Sequence, residues 1–278
     1  VRDIEQLISG RRSIRTFSDR KLPADMGSQI EQLSSSLVEE DSSIFSIPIQ
    51  LQLLSKELIK EKRLGTYGII RNAQGFLTGL CDRGEDAVLS FGYTVEKILI
   101  HLRDQGIETC WLGGTFNRGA FAKLLRSEQQ IIPAVLPLGY AAQKQAVPDR
   151  LLRRAAGSDK RLDMSEIFSF GSWGTPFLRR DDSDLFDALE AVRAAPSAGN
   201  KQPWRVLVSS GKNCLHLFLS ESAGYRRAVG YPMQMLDMGI AMSHLYLFLR
   251  ARGEDPLWYR DQEIETQRFR YIASLKRG

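Results

Sequence analysis

Two long apolar helices that end alike constrain this chain more than any other feature. The first runs from Phe91 to Leu102, with Val95, Ile98, Leu99 and Leu102 at helical spacing. Gly106 follows, at the position where a helix commonly stops in a left-handed residue. The second, Met235 to Leu249, is apolar almost throughout and meets Arg250, Arg252 and Gly253 as a stop signal. Set side by side, FGYTVEKILIHLRDQGIETCW from Phe91 and LDMGIAMSHLYLFLRARGEDPLW from Leu236 share an order. Both read small residue, apolar helix, arginine, glycine, acidic residue, tryptophan. Either the chain holds two related halves, or two unrelated buried helices happen to end the same way.

The remaining pattern is mixed helix and strand. Leu22-Pro23-Ala24-Asp25 predicts a helix start, with Pro23 near the first turn and Met26, Ile30, Leu33 and Leu37 on one face. Ile47 to Leu54 reads as a strand, and Gly68 to Leu80 as a glycine-rich loop feeding another. Ile131 to Tyr140 is a buried strand that carries Pro133 and Pro137, so it should be short or near an edge. Ala141 to Lys160 is polar, basic and alanine-rich, an excursion or linker, and Leu162 to Phe168 is a short amphipathic piece. Gly171 to Pro176 is turn chemistry and a candidate boundary. After it the pattern restarts. A helix runs from Asp182 to Ala195, with Ser183 or Asp184 as its N-cap. Strands follow at Trp204 to Ser209 and Cys214 to Leu219, with a turn at Gly211-Lys212-Asn213.

Composition narrows the function classes. The three cysteines, Cys81, Cys110 and Cys214, form no CxxC pair, and the three histidines stand apart. Neither a zinc site nor a disulfide framework is expected, which suits a reducing cytoplasm. The N-terminal residues are charged and amphipathic rather than signal-like, and no run of eighteen apolar residues predicts a membrane span. A net charge of +5, with basic stretches at Arg11 to Arg15, Arg150 to Arg161 and Arg179-Arg180, could serve nucleic acid or a phosphate-bearing cofactor. No zinc finger, RNP-type motif or basic heptad supports a nucleic-acid partner.

Four constellations carry candidate chemistry. Arg11-Arg12-Ser13-Ile14-Arg15 gathers three guanidiniums and a hydroxyl. In an extended segment Arg11, Ser13 and Arg15 share a face, an arrangement suited to a phosphate. Pro196-Ser197-Ala198-Gly199-Asn200-Lys201-Gln202-Pro203-Trp204 packs hydroxyl and amide groups into a helix-to-strand loop, and such groups can pair with the polar edge of a heterocycle. Thr109 to Phe116 contains Gly113-Gly114, where a backbone can approach a planar ligand closely; Trp111 there is expected in the core. Lys160-Arg161 precedes the amphipathic Leu162 to Phe168.

Together these motifs resemble the nitroreductase family of FMN enzymes, in patches across residues 8 to 210. RRSIRTF looks like the family's phosphate-binding segment, PSAGNKQPW like its Pro-Ser-small-x-Asn loop, ETCWLGGTF with VLPLGYA like the segment over the flavin ring, and KRLDMSEIF like the basic pair that closes on the phosphate. Ordinary members are homodimers that build each flavin site from both subunits. Here the arginine segment and the loop occur once each, in different halves, so the chain resembles the duplicated, single-chain TM nitroreductases.

That resemblance implies an α+β nitroreductase-like fold of two pseudo-symmetric halves, 1–170 and a shorter 171–278, each with a central antiparallel sheet flanked by helices. It implies FMN held at its phosphate by Arg11, Arg12, Ser13 and Arg15, with Arg161 and Lys160 assisting. Pro196, Ser197, Ala198 and Asn200 would meet the ring from the opposite half, Leu112, Gly113 and Gly114 would lie near it, and Ile70 and Arg71 are weaker candidates for its pyrimidine edge. NAD(P)H would act as a transient reductant, in the absence of a GxGxxG fingerprint, and a nitroaromatic or quinone as acceptor. The chain would work as a monomeric pseudo-dimer. A flavin-binding protein without useful turnover and a basic, non-flavin binding module remain as alternatives.

Overall fold

A computed structural model gives the structure of residues 3–61, 66, 68–122, 130–143, 160–222, 230–264 and 268–278. In the first part of the chain the elements are α1 (Ile4–Ser9), α2 (Met26–Glu39), β1 (Gln50–Ser55), α3 (Lys56–Glu61), β2 (Gly75–Asp82), α4 (Glu85–Asp104), β3 (Glu108–Thr109), α5 (Arg118–Ala122), β4 (Gln130–Ile131) and β5 (Val135–Gly139). Then come α6 (Met164–Ile167), β6 (Phe168–Phe170), α7 (Ser183–Ala194), β7 (Trp204–Val208), β8 (Cys214–Leu219), α8 (Met233–Ala251), β9 (Leu257–Tyr259) and β10 (Arg270–Lys276).

The two apolar helices, α4 and α8, form the centre. Every residue of α8 from Met233 to Leu249 is buried, as is every residue of α4 from Val88 to Ile100. A helix apolar on all sides must be enclosed on all sides. Their approach depends on two glycines. A Cβ at Gly92 would lie 2.3 Å from the Leu236 carbonyl oxygen, and one at Gly239 would lie 2.0 Å from the Leu89 carbonyl oxygen. The same interval in sequence separates Gly92 from Gly239 and Leu89 from Leu236. The contact is therefore reciprocal, as across a two-fold axis. Gly106 and Gly253, both left-handed (φ 79° and 83°), and Trp111 and Trp258 repeat at that interval too.

Around this pair the elements repeat in order. α2, β1, β2, α4, β3 and β5 correspond to α7, β7, β8, α8, β9 and β10. The strand orders correspond as well: β1-β2-β5-β3 in one sheet, with β4 on β2, and β7-β8-β10-β9 in the other, with β6 outside β7. All the pairings are antiparallel except β6 with β7, which is parallel. The fold is thus α+β, two antiparallel sheets flanked by helices and joined through the α4–α8 core.

One expectation is met and another needs correction. β5 is short, one of the two outcomes its prolines allow, and lies between β2 and β3. Pro137 is tolerated because the side of β5 facing β3 is paired only at Val135, by Leu112, and at Leu138 and Gly139. The N-cap of α7 is Asp182, whose carboxylate accepts the Leu185 N–H at 3.0 Å, rather than Ser183 or Asp184. Most of the excursion expected from Ala141 to Lys160 lies outside the described residues. No helix among the described residues is long and apolar enough to cross a membrane.

Candidate functional site

The arginine segment is pinned by its backbone. Arg103, near the end of α4, donates to the carbonyls of Leu7 (2.5 Å) and Gly10 (2.7 Å), and Ile14 N–H donates to the Thr109 carbonyl at 2.9 Å. Arg71 N–H donates to the Arg15 carbonyl at 2.8 Å and its own carbonyl accepts from Phe17 N–H at 3.0 Å. Ile14 packs inward with Phe17, Leu112 and Val135, while Arg11, Arg12, Ser13 and Arg15 line a cavity.

The opposite wall comes from the loop after α7. Gly199, Asn200 and Gln202 are all left-handed, with φ of 58°, 54° and 48°. Such strain persists only where the surroundings hold it. Here Ala198 N–H donates to Asp237 Oδ1 at 2.9 Å and Gln202 N–H to Ser197 Oγ at 2.9 Å. Asn200 Nδ2 donates to the Lys160 carbonyl at 2.6 Å, and Leu162 N–H donates to Gln202 Oε1 at 3.0 Å. Arg161 donates to Asn200 Oδ1 and, at 2.9 Å, to the Ala194 carbonyl. The Asn200 amide therefore ties the 160–162 segment to the loop.

Between these walls lies a cavity of about 400 Å³, within the range of small-molecule sites. Of the residues the motifs singled out, Arg11, Arg12, Ser13, Arg15, Gly113, Arg161, Pro196, Ser197, Ala198 and Asn200 line it together. Leu112, Gly114, Lys160, Ile70 and Arg71 do not. Leu112 is buried against Val135, Gly114 and the Lys160 side chain are exposed, and Arg71 supports Arg15 from behind. Trp111, expected in the core, is half-buried in the cavity wall. The motifs missed Met233, Leu236, Asp237 and Ile240, which α8 presents to the cavity, and the Glu190–Arg193 pair of α7 (2.8 Å). Gly113 is fixed at its carbonyl by Arg118, and a Cβ on it would meet Met233 Cε at 3.1 Å.

Beneath the cavity is a buried polar cluster that spans both central helices. Glu96 of α4 accepts the Trp111 indole N–H at 2.6 Å through Oε2. Its Oε1 lies 3.0 Å from His244 Nε2 of α8 and 4.0 Å from Arg11 Nε. His244 Nδ1 donates to the Ala191 carbonyl at 2.9 Å, since a carbonyl only accepts. The Arg11 side chain is only 7% exposed, yet its Nε and Nη1 meet no hydrogen-bond acceptor among the described residues. Burial draws its pKa below the ordinary value, with Glu96 opposing. An unsatisfied guanidinium at a cavity wall is what an anionic group would complete.

The equivalent place in the other half is filled. Lys97, at the position matching His244, donates to the Leu37 carbonyl at the end of α2 (3.2 Å), as His244 does at the end of α7. It also pairs with Asp41 at 2.7 Å, and Tyr93 donates to the same carboxylate at 2.6 Å. Phe45 is buried in the loop that matches Pro196–Asn200, and Trp258, the counterpart of Trp111, donates its backbone N–H to Ser43 Oγ at 3.2 Å, while its indole N–H meets no acceptor among the described residues.

Two antiparallel sheets joined through a glycine-crossed helix pair carry a cavity lined from both halves of the chain. The chain matches the model of the family described as Putative TM nitroreductase over residues 3–248, and it belongs to that family. A solved structure described as a putative nitroreductase from Thermotoga maritima is similar over 99% of this chain and 94% of its own, at 19% identity and a TM-score of 0.65. A nitroreductase family protein from Clostridium difficile 630 aligns over 60% of this chain and 96% of its own, at 16% identity and a TM-score of 0.44. A putative nitroreductase in complex with FMN from Exiguobacterium sibiricum covers 54% of this chain and 96% of its own, at 12% identity and a TM-score of 0.44. No curated protein matches the chain significantly.

Proposed function

We propose that this chain is an FMN-dependent oxidoreductase with one composite flavin site, oxidising NAD(P)H and reducing an electron-poor acceptor such as a nitroaromatic or quinone. The observation that carries this reading is the single cavity bordered by Arg11–Arg15 from one half and Pro196–Asn200 from the other. The residues fit the cofactor. Arg11 brings buried donors without acceptors, and Arg12, Ser13 and Arg15 stand beside it for a phosphate. When bound, the flavin would supply hydride acceptance and donation at N5.

The chain's own residues bind, orient and exclude water. Arg161 braces the loop through Asn200, while Met233, Leu236 and Ile240 form an apolar wall. Gly113, without a side chain, lets a planar ring approach the backbone. The arginines would also give the cavity a positive field that favours an anionic ligand. On this reading residues 1–170 supply the phosphate end and 171–278 the loop. The chain acts as a monomeric pseudo-dimer in a reducing cytoplasm, to which its free cysteines are suited.

The test is to release the ligand from purified protein, identify it by mass spectrometry, and follow NAD(P)H oxidation with a nitroaromatic or a quinone. FMN in the released fraction together with turnover supports the reading. FMN without turnover reduces it to flavin binding, and a colourless protein that does not take up added FMN overturns it.

A further inference from the structure

Asp237 is a buried acid without a counter-ion. It lies on the first turns of α8, 2% exposed, in the wall of the cavity. Its Oδ1 accepts the Ala198 N–H at 2.9 Å, and its Oδ2 is buried with no hydrogen-bond partner among the described residues. A buried carboxylate in that position is costly, whereas a neutral acid there carries a hydroxyl donor awaiting an acceptor. The sequence accentuates the oddity. Asp237 is the one acidic residue in α8, and Ser90 holds the matching place in α4, on the side where the equivalent site is filled.

The charged groups around the same cavity do not pair with it. Arg11, Arg12, Arg15 and Arg161 line the wall, and Glu190 is held by Arg193. Along α8 the next titratable group on this side is His244, engaged by Glu96 of α4 and Ala191 of α7. Tyr231 feels the charge of Asp237, but its hydroxyl donates to the Pro133 carbonyl at 2.5 Å. Burial pushes the Asp237 carboxyl up to about 8, with the Ala198 N–H opposing, so the neutral acid is the main form at pH 7.

We infer that Asp237 binds the ring of the bound cofactor directly: as a neutral acid it holds Ala198 through Oδ1 and donates from Oδ2 to an acceptor atom on the ring edge. This rests on the flavin reading above. The proton stays on Asp237 throughout, and its loss would turn the contact from attraction to repulsion between the carboxylate and the ring acceptor.

The experiment is FMN titration of the apoprotein, followed by flavin fluorescence at pH 7 and pH 9, for wild type and Asp237→Asn. The amide keeps an acceptor for Ala198 and a donor for the ring but does not titrate. Wild-type Kd should rise about tenfold between these pH values relative to the variant, and FMN's own ionisations cancel in that ratio. If the amide variant does not fold, Asp237→Ser, the residue found at the matching place in α4, serves in its stead and should likewise lose the pH dependence. Parallel pH profiles for wild type and variant, or a flat wild-type profile, would overturn the role of Asp237 while leaving the flavin site standing. Failure of wild type to bind FMN at either pH would overturn the flavin reading and this inference with it.

Discussion

Gly92 of α4 and Gly239 of α8 occupy matching positions, and each gives way to a backbone carbonyl of the other helix: Leu236 for Gly92 and Leu89 for Gly239. A glycine inside a helix costs about 0.5–1 kcal/mol relative to alanine, so its presence at both places is explained by the close approach it permits. Alanine at either position forces apart the two helices at the centre of the fold. Gly92→Ala and Gly239→Ala should each destabilise the protein, by roughly 1–3 kcal/mol or more, since the clash is with backbone rather than with a movable side chain. Thermal unfolding of the two variants should show losses of similar size. A neutral effect at either position would contradict the reciprocal contact.

Arg15 and Asn200 lie in different halves, and both line the cavity. Arg15→Ala removes a guanidinium from the end of the cavity proposed to hold the phosphate. Asn200→Ala releases the Lys160 carbonyl and the Arg161 guanidinium, loosening the opposite wall. Each should weaken FMN binding by roughly ten- to a hundredfold, the range expected when a charge-assisted hydrogen bond is lost. Fluorescence titration of the two apoproteins checks this, and a composite site requires that both variants lose affinity.

Trp111→Phe keeps an aromatic ring but loses the pyrrole part of the indole, with the N–H that Glu96 Oε2 accepts. It leaves a fully buried acceptor without that donor, at a cost of about 1–3 kcal/mol. Chemical denaturation should show the loss as a lower midpoint with an unchanged slope.

Asp237 also predicts a pH dependence of apoprotein stability. Its carboxyl is raised in the folded protein from 3.8 to about 8. The unfolded chain therefore gives up this proton first. The stability that the neutral acid lends is complete below about pH 4 and is lost as pH rises through about 8. Asp237→Asn lacks that decline, so its melting temperature relative to wild type should increase from pH 5 to pH 8. A constant difference across that range would show that Asp237 is not held neutral.

Much of this was legible before the structure, and the reasons are local. The loop from Pro196 to Trp204 announces itself because left-handed backbone and self-bonding amides need glycine, asparagine and glutamine close together, and they stand so at Gly199, Asn200 and Gln202. The arginine segment is equally compact. Asp237, Glu96 and His244 are different. Each is a polar residue within the buried, mostly apolar stretch of its helix, and it meets groups on other elements of the fold. Their signal was the anomaly of a polar group in a stretch that is otherwise largely apolar, which points to a buried partner without naming it. For β5, two prolines left a short strand or an edge strand open; the structure gives the short one, and its place between β2 and β3 depends on how far β3 reaches, a tertiary fact.

On the proposed reading, the filled counterpart of the cavity leaves room for one FMN per chain. Phe45, Trp258 and the Asp41–Lys97 pair occupy the place that matches the Pro196–Asn200 site. Native mass spectrometry of the purified protein, incubated with excess FMN and exchanged into volatile buffer, therefore tests the account most directly. It should show the mass of a single chain carrying one FMN. A chain that carries two, or one that acquires FMN only as a dimer, would contradict a composite site completed once within each chain.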